Sequence, residues 1–199
     1  DLLITLAGGN GNKDRVNLTR EMNKQLAPSM VGLIKMVAEQ AAKLNFPIFI
    51  VGGFVRDLLL KQPSPDVDFV IEGDAITLGK SFLAKFGGKL VSHSKFGTCK
   101  WHLENAKDVI ATYTPSGCKF DSSALPKSID LISARTEYYS YPTALPTVKS
   151  GSIKLDLQRR DFTINTLAIR LDGNHYGELY DYWGGLSDLQ KKQIRVLHS

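Results

Sequence analysis

Asp66-Val67-Asp68 sets two carboxylates two residues apart in a segment, 66–72, that alternates polar and apolar residues like a strand. Residues i and i+2 of a strand face one side, so both acids are expected to point the same way. At ~6 Å and an effective dielectric near 20, their repulsion is roughly 3 kcal/mol. A cation or an arginine must offset that cost, unless an edge strand leaves both groups solvated. Mg²⁺ suits the pair, because it takes one or two carboxylates and fills its shell with water and phosphate oxygens. Asp130 is a third acid, alone in the apolar run Ile129-Asp130-Leu131-Ile132. A carboxylate in such a run needs a partner. It could join Asp66 and Asp68 as a metal ligand and help activate a hydroxyl nucleophile, or it could pair with Arg135 or Lys127.

Two further clusters have the character of anion sites. Gly52-Gly53-Phe54-Val55-Arg56-Asp57 reads as a strand ending in two glycines and leading into a helix. Backbone N–H groups at such a junction, together with the helix dipole, suit a phosphate, and Arg56 could reach the same anion. The alternative is a tight turn with Arg56 paired to Asp57. Arg159-Arg160-Asp161-Phe162-Thr163-Ile164-Asn165 is expected to open a helix over 156–169. Two arginines at a helix start oppose the macrodipole, which a bound triphosphate would offset. Asp161 and Asn165, one turn apart, could read a ribose together, or Asp161 or Thr163 could simply cap the helix.

The elements that must position these residues are legible in outline. Pro28-Ser29 opens an amphipathic helix carrying Met30, Leu33, Ile34, Val37, Ala41 and Leu44, stopped by Asn45-Phe46-Pro47. Residues 48–51 form an apolar strand, 54–61 a short helix and 62–65 a turn. Asp74 caps a helix carrying Ile76, Phe82, Leu83 and Phe86, which Gly87-Gly88 ends. Residues 89–92, 100–103, 109–113, 128–134 and 194–197 read as strands, and 115–127 and 138–151 as long connections. Residues 1–28, with the turn-forming Gly8-Gly9-Asn10-Gly11-Asn12, read as a linker or the tail of an upstream element. The mixture of elements, without a regular βαβ repeat, predicts an α/β (α+β) domain with a mixed β-sheet flanked by helices.

Taken in order, these motifs resemble the head domain of the class II tRNA nucleotidyltransferases (CCA-adding enzymes) and bacterial poly(A) polymerases. The resemblance runs from about Phe46 to Leu197. It takes in Ala134-Arg135-Thr136-Glu137, the Ala144-Leu145-Pro146 loop and the Gly184-Gly185-Leu186 run with Asp188-Leu189. It departs from the family pattern at Asp181-Tyr182-Trp183, at Thr166 and in a longer 113–127 segment. The resemblance implies the polymerase-beta-like nucleotidyltransferase fold over 29–199, without the neck and body domains that follow. It implies Asp66 and Asp68 as ligands of a two-metal Mg²⁺ site, with Asp130 as the third catalytic carboxylate. Gly52, Gly53, Arg56, Arg159, Arg160, Asp161 and Asn165 would bind the nucleotide. ATP and CTP are the implied substrates and the 3′ end of tRNA or another RNA the partner, with pyrophosphate released. Poly(A) synthesis, or a nucleotide-sensing or RNA-binding module without turnover, are the alternatives. The family's base-choosing Glu-Asp-x-x-Arg helix lies beyond residue 199, so the piece alone is expected to transfer nucleotides poorly.

Composition agrees with this class and excludes others. With 43% hydrophobic and 23% charged residues, the 199-residue chain can bury a core and is not a disordered tail. No apolar run approaches the roughly 20 residues of a membrane span. Cys99 and Cys118 match no metal spacing, and the N-terminus lacks a signal-peptide pattern; both suit a cytoplasmic setting. The net charge of +5 suits a phosphate-rich partner. Six lysines between 85 and 119, and Tyr138, Tyr139 and Tyr141, could follow an RNA strand or belong to an ordinary surface and core.

Overall fold

The computed structural model describes residues 16–64, 66–138 and 147–198. In chain order the elements are α1 (Thr19–Gln25), α2 (Pro28–Lys43), β1 (Ile48–Val51), α3 (Gly53–Leu59), β2 (Asp68–Ile71), α4 (Ala75–Phe86), β3 (Lys89–His93) and β4 (Thr98–His102). There follow α5 (Lys107–Tyr113), β5 (Ser128–Ser133), β6 (Arg135–Tyr138), β7 (Thr147–Ser150), α6 (Ile153–Gln158), β8 (Ala168–Arg170), β9 (Glu178–Tyr180) and α7 (Gly185–Gln190).

Seven strands form one sheet in the order β3-β4-β5-β2-β1-β8-β9, and β6 and β7 pair separately. Every neighbouring pair in the sheet is antiparallel except β2 and β5, which run parallel. The central strand β1 is apolar throughout because both of its faces are covered. Ile48 and Ile50 enter the main core with α1 to α5, whereas Phe49 and Val51 enter a smaller one against α6. The same alternation sorts its neighbours. Phe69 and Ile71 of β2 and Ile129 and Leu131 of β5 go to the main core, and Val70 and Ile132 to the smaller one. Asp68 and Asp130 therefore belong to the α6 face of the sheet.

Several sequence expectations need correction. Residues 109–113 lie in helix α5, not a strand: Ile110 is buried in the main core, with Val109 and Tyr113 packed against it. The expected helix over 156–169 divides into α6, a single 3₁₀ turn at Thr163–Asn165, and strand β8. Residues 194–197 are irregular, although Thr163 donates a backbone bond to Arg195. The connection expected over 138–151 contains β7, paired with β6. The linker expected over 1–28 includes residues built into the fold. Leu18 and Met22 are fully buried, and Leu18 and Leu179 exchange backbone bonds with Gly177 and Val16. Residues 1–15, Tyr139, Tyr141 and Ala144-Leu145-Pro146 lie outside the described residues.

Candidate active site

Asp68 opens β2 directly opposite Asp130 of β5, and Asp130 in turn lies opposite Lys100 of β4. Two carboxylates and an ammonium thus cross the sheet in one row. Lys100 Nζ sits 3.2 Å from Asp130 Oδ2, with both side chains nearly half exposed. The partner of Asp130 is therefore Lys100, rather than Arg135 or Lys127. Asp66 precedes β2 and is exposed, so the two acids straddle the strand's beginning instead of sharing its interior. Burial pushes the Asp68 carboxyl above its ordinary pKa; nearby Arg160 opposes the shift, while Asp130 and Asp66 add to it. Among the described residues none donates a hydrogen bond to Asp68.

The glycine turn stands beside this row. Gly52 has φ +70° and ψ −131°, a backbone conformation that suits glycine, and it turns β1 into α3. Its N–H is already taken by the Leu167 carbonyl at 3.1 Å, so it does not serve as a free phosphate donor. What Gly52 provides here is the backbone turn, with the Arg160 and Arg56 guanidiniums lying at ordinary contact distance. Arg160 Nη1 lies 3.4 Å from the place a Cβ would occupy on Gly52, and Arg56 Nη2 3.5 Å from that on Gly53. Arg56 gives Nε–H to Asp57 and Nη1–H to Asn165 Oδ1, both at 2.8 Å. The Asn165 amide also donates to the Asp161 carbonyl at 3.1 Å, and the Asp161 carboxylate accepts the Leu197 N–H at 3.0 Å. Asn165 thus orients Arg56, while Asp161 fastens the 194–197 segment alongside the site.

Arg159 and Arg160 stand at the end of α6, not at a helix start. The macrodipole there favours cations, so the strain expected from sequence is absent. Both arginines fork onto Asp156, one turn earlier and fully buried. Asp156 does not stand out in the sequence. Its signal was the spacing to Arg159 and Arg160, i to i+3 and i+4, which is visible only once the helix is placed over 153–158.

Comparison with known proteins fixes the family. The model of the "Poly A polymerase head domain" matches residues 48–195, most of the chain. The chain belongs to the poly(A) polymerase head-domain family. This head domain is 41% identical over 178 residues to the A-adding tRNA nucleotidyltransferase of Geobacter sulfurreducens, covering 89% of the chain and 18% of that protein. Among solved structures it resembles a CCA-adding enzyme in apo form (TM-score 0.76, 37% identity, 92% of this chain and 38% of that one). It also resembles the Thermotoga maritima CCA-adding enzyme complexed with tRNA (TM-score 0.71, 33% identity, 92% and 36%). The expected mixed sheet with flanking helices is the architecture found. The head domain spans less than two-fifths of the length of these relatives. Among its described residues no helix is long and apolar enough to cross a membrane.

Proposed function

We propose that this head domain belongs to a template-independent nucleotidyltransferase that extends the 3′ end of tRNA, releasing pyrophosphate from an NTP. The observation that carries the reading is Asp68 and Asp130 in register on adjacent strands, facing Arg160 and the Gly52 turn on one side of the sheet. The 41% identity to an A-adding enzyme supports addition of A in particular, with ATP as substrate and CTP as its rival.

The residues present suit Mg²⁺. Asp68 is partly buried, lacks a donor among the described residues, and is pushed toward protonation by burial and by Asp130 and Asp66. A divalent cation relieves that state. Among the described residues no group of three or more His, Cys, Asp or Glu side chains could hold a metal by itself; Mg²⁺ takes one or two carboxylates and fills its shell with phosphate oxygens and water. Asp66 and Asp68 would hold it, with Asp130 beside them. When bound, such an ion lowers the pKa of the primer hydroxyl and neutralises charge on the leaving pyrophosphate.

The rest of the work is positioning. Arg159 and Arg160 meet the triphosphate from the end of α6, and Arg56, held by Asp57 and Asn165, meets it from α3. The Arg160 guanidinium lies against Gly52, and that of Arg56 against Gly53. Asp161 and Asn165 shape the ribose side of the same wall. Fixed donors at the phosphates lower the barrier without reorganising during reaction.

The test is incorporation by the intact protein that carries this head domain. Labelled tRNA lacking its CCA end, and tRNA ending in CC, are offered each NTP with Mg²⁺. Addition of A to the CC end is the expected outcome, lost in Asp66→Ala and Asp68→Ala with the fold retained. Undiminished addition by both variants removes the metal assignment. Binding of ATP without pyrophosphate release in the unaltered protein would favour a nucleotide sensor.

A further inference from the structure

Asp156, on the α6 face, is a carboxylate with no exposed surface at all. Its Oδ1 accepts from Arg159 Nη2 at 2.9 Å and Nε at 3.3 Å, and its Oδ2 from Arg160 Nη2 at 3.1 Å and Nε at 3.2 Å. The backbone N–H of Arg135 approaches Oδ1 at 3.4 Å. Two successive guanidiniums therefore share one buried acid, each by its Nε/Nη2 edge, while the arginine side chains keep 26% and 21% exposure. Fully buried charge is costly unless paired and hydrogen-bonded, and here every lone-pair direction is used.

The helix carrying this group is fastened to the catalytic strands. Glu72, which follows β2, accepts the Ile153 N–H at 2.6 Å, and Ser152 caps the same end through Leu155. At the other end Arg160 Nη1 reaches the Gly52 turn. Without Asp156, two adjacent guanidiniums would repel and separate. With it they form a rigid unit of net charge +1, one end of which faces Asp68.

We propose that Asp156 is a positioning residue: it clamps Arg159 and Arg160 into one two-headed receptor for the nucleotide's triphosphate. The proposal rests on the nucleotidyl-transfer reading above. Its mechanism is geometric, since bidentate arginine pairs fix orientation as well as charge. An asparagine at 156 offers one carbonyl oxygen and turns an NH₂ donor toward guanidinium donors, so one arginine must leave.

The experiment compares ATP with adenosine on the intact protein, adenosine lacking every phosphate. In Asp156→Asn the KM for ATP is expected to rise at least tenfold while kcat at saturation falls less than threefold. The ratio of ATP to adenosine affinity should fall by the same tenfold. ATP and adenosine weakened by one common factor, or neither weakened, overturns the clamp. Arg160→Lys, which keeps the charge and loses the fork, is expected to melt within a few degrees of the unaltered protein and lose the same preference more mildly. Should Asp156→Asn fail to fold, an undiminished preference in Arg160→Lys overturns the proposal. An unaltered protein that prefers ATP no more than adenosine refutes the nucleotidyl-transfer reading itself, and the clamp with it; an unaltered protein that prefers ATP, with variants whose preference is unchanged, refutes only the clamp.

Discussion

Replacing Asp68 by Asn should stabilise the fold while abolishing transfer. Asp68 and Asp130 are paired on neighbouring strands, whose backbones lie about 4.8 Å apart. At ~5 Å their repulsion is about 3 kcal/mol for an effective dielectric of 20, and about 0.8 kcal/mol if water screens them fully. Lys100 at 3.2 Å from Asp130, and Arg160 near Asp68, offset part of this. A net cost of about 1 kcal/mol follows, equivalent to a melting shift of about 2–4 °C at this chain length. The sign has a pH signature. Burial, with Asp130 and Asp66 adding to it, raises the folded-state pKa of Asp68. The folded state therefore binds this proton more tightly than the unfolded chain does. That advantage is full below the unfolded pKa and is lost as pH rises through the folded value. Asn never ionises, so in EDTA the variant should melt higher than the unaltered protein at pH 7.5, and the gap should narrow as the pH falls to 4. A variant that melts lower at pH 7.5, or a gap unchanged at pH 4, refutes the electrostatic account of this site.

Other expected outcomes follow from single contacts. Gly52→Ala places a side chain at φ +70°, ψ −131°, a strain of about 1–3 kcal/mol. That strain falls on the turn Arg160 lies against, so ATP affinity should fall more than in Gly53→Ala, which sits in α3 without a positive φ; equal losses in the two would refute the special role of the turn. Leu18→Ala removes a fully buried side chain of the main core and should cost about 2–5 kcal/mol in a urea titration. A cost below about 0.5 kcal/mol would mean that residues 16–26 lie outside the cooperative unit.

The sequence made the central strands legible because both faces of the sheet are covered. Ile48 to Val51 has no polar residue to obscure it, and Asp68 and Asp130 stand out as acids in apolar runs. What it hid were places where tertiary pairing overrides local preference. Val109, Ile110, Thr112 and Tyr113 favour strand by type, yet they form a helix because Ile110 and its neighbours fill the core beneath α2. Residues 156–169 carry apolar residues at helical spacing. The helix ends at Gln158, and beyond it the bonds go elsewhere: the Thr163 N–H goes to the Arg195 carbonyl rather than back to Arg159, Thr166 Oγ1 donates to the Thr163 carbonyl and Asn165 to that of Asp161. Beyond that point β8 is claimed by β1 and β9. That boundary error also concealed Asp156, whose relation to Arg159 and Arg160 depends on where the helix lies.

The pairing of charges indicates which acid a cation would benefit most. Asp130 has Lys100, Asp156 has two arginines, and Asp57 shares Arg56 with Asn165. Asp66 is exposed to solvent. Asp68 alone combines partial burial, two carboxylate neighbours and no donor among the described residues, so an incoming divalent ion gains most there. Asp130 Oδ2 is engaged by Lys100, so bringing that oxygen to such an ion means giving up Lys100. With both partners nearly half exposed, that ion pair is worth at most about 1 kcal/mol, so the exchange is cheap. Lys100→Met should therefore make Asp130 available at no great cost to the fold but raise the repulsion on Asp68. Combined with Asp68→Asn, it should lose most of that penalty, a non-additivity that a double-mutant cycle of melting free energies at pH 7.5 would read directly. Strict additivity would place Lys100 outside the row of charges that Asp68 senses.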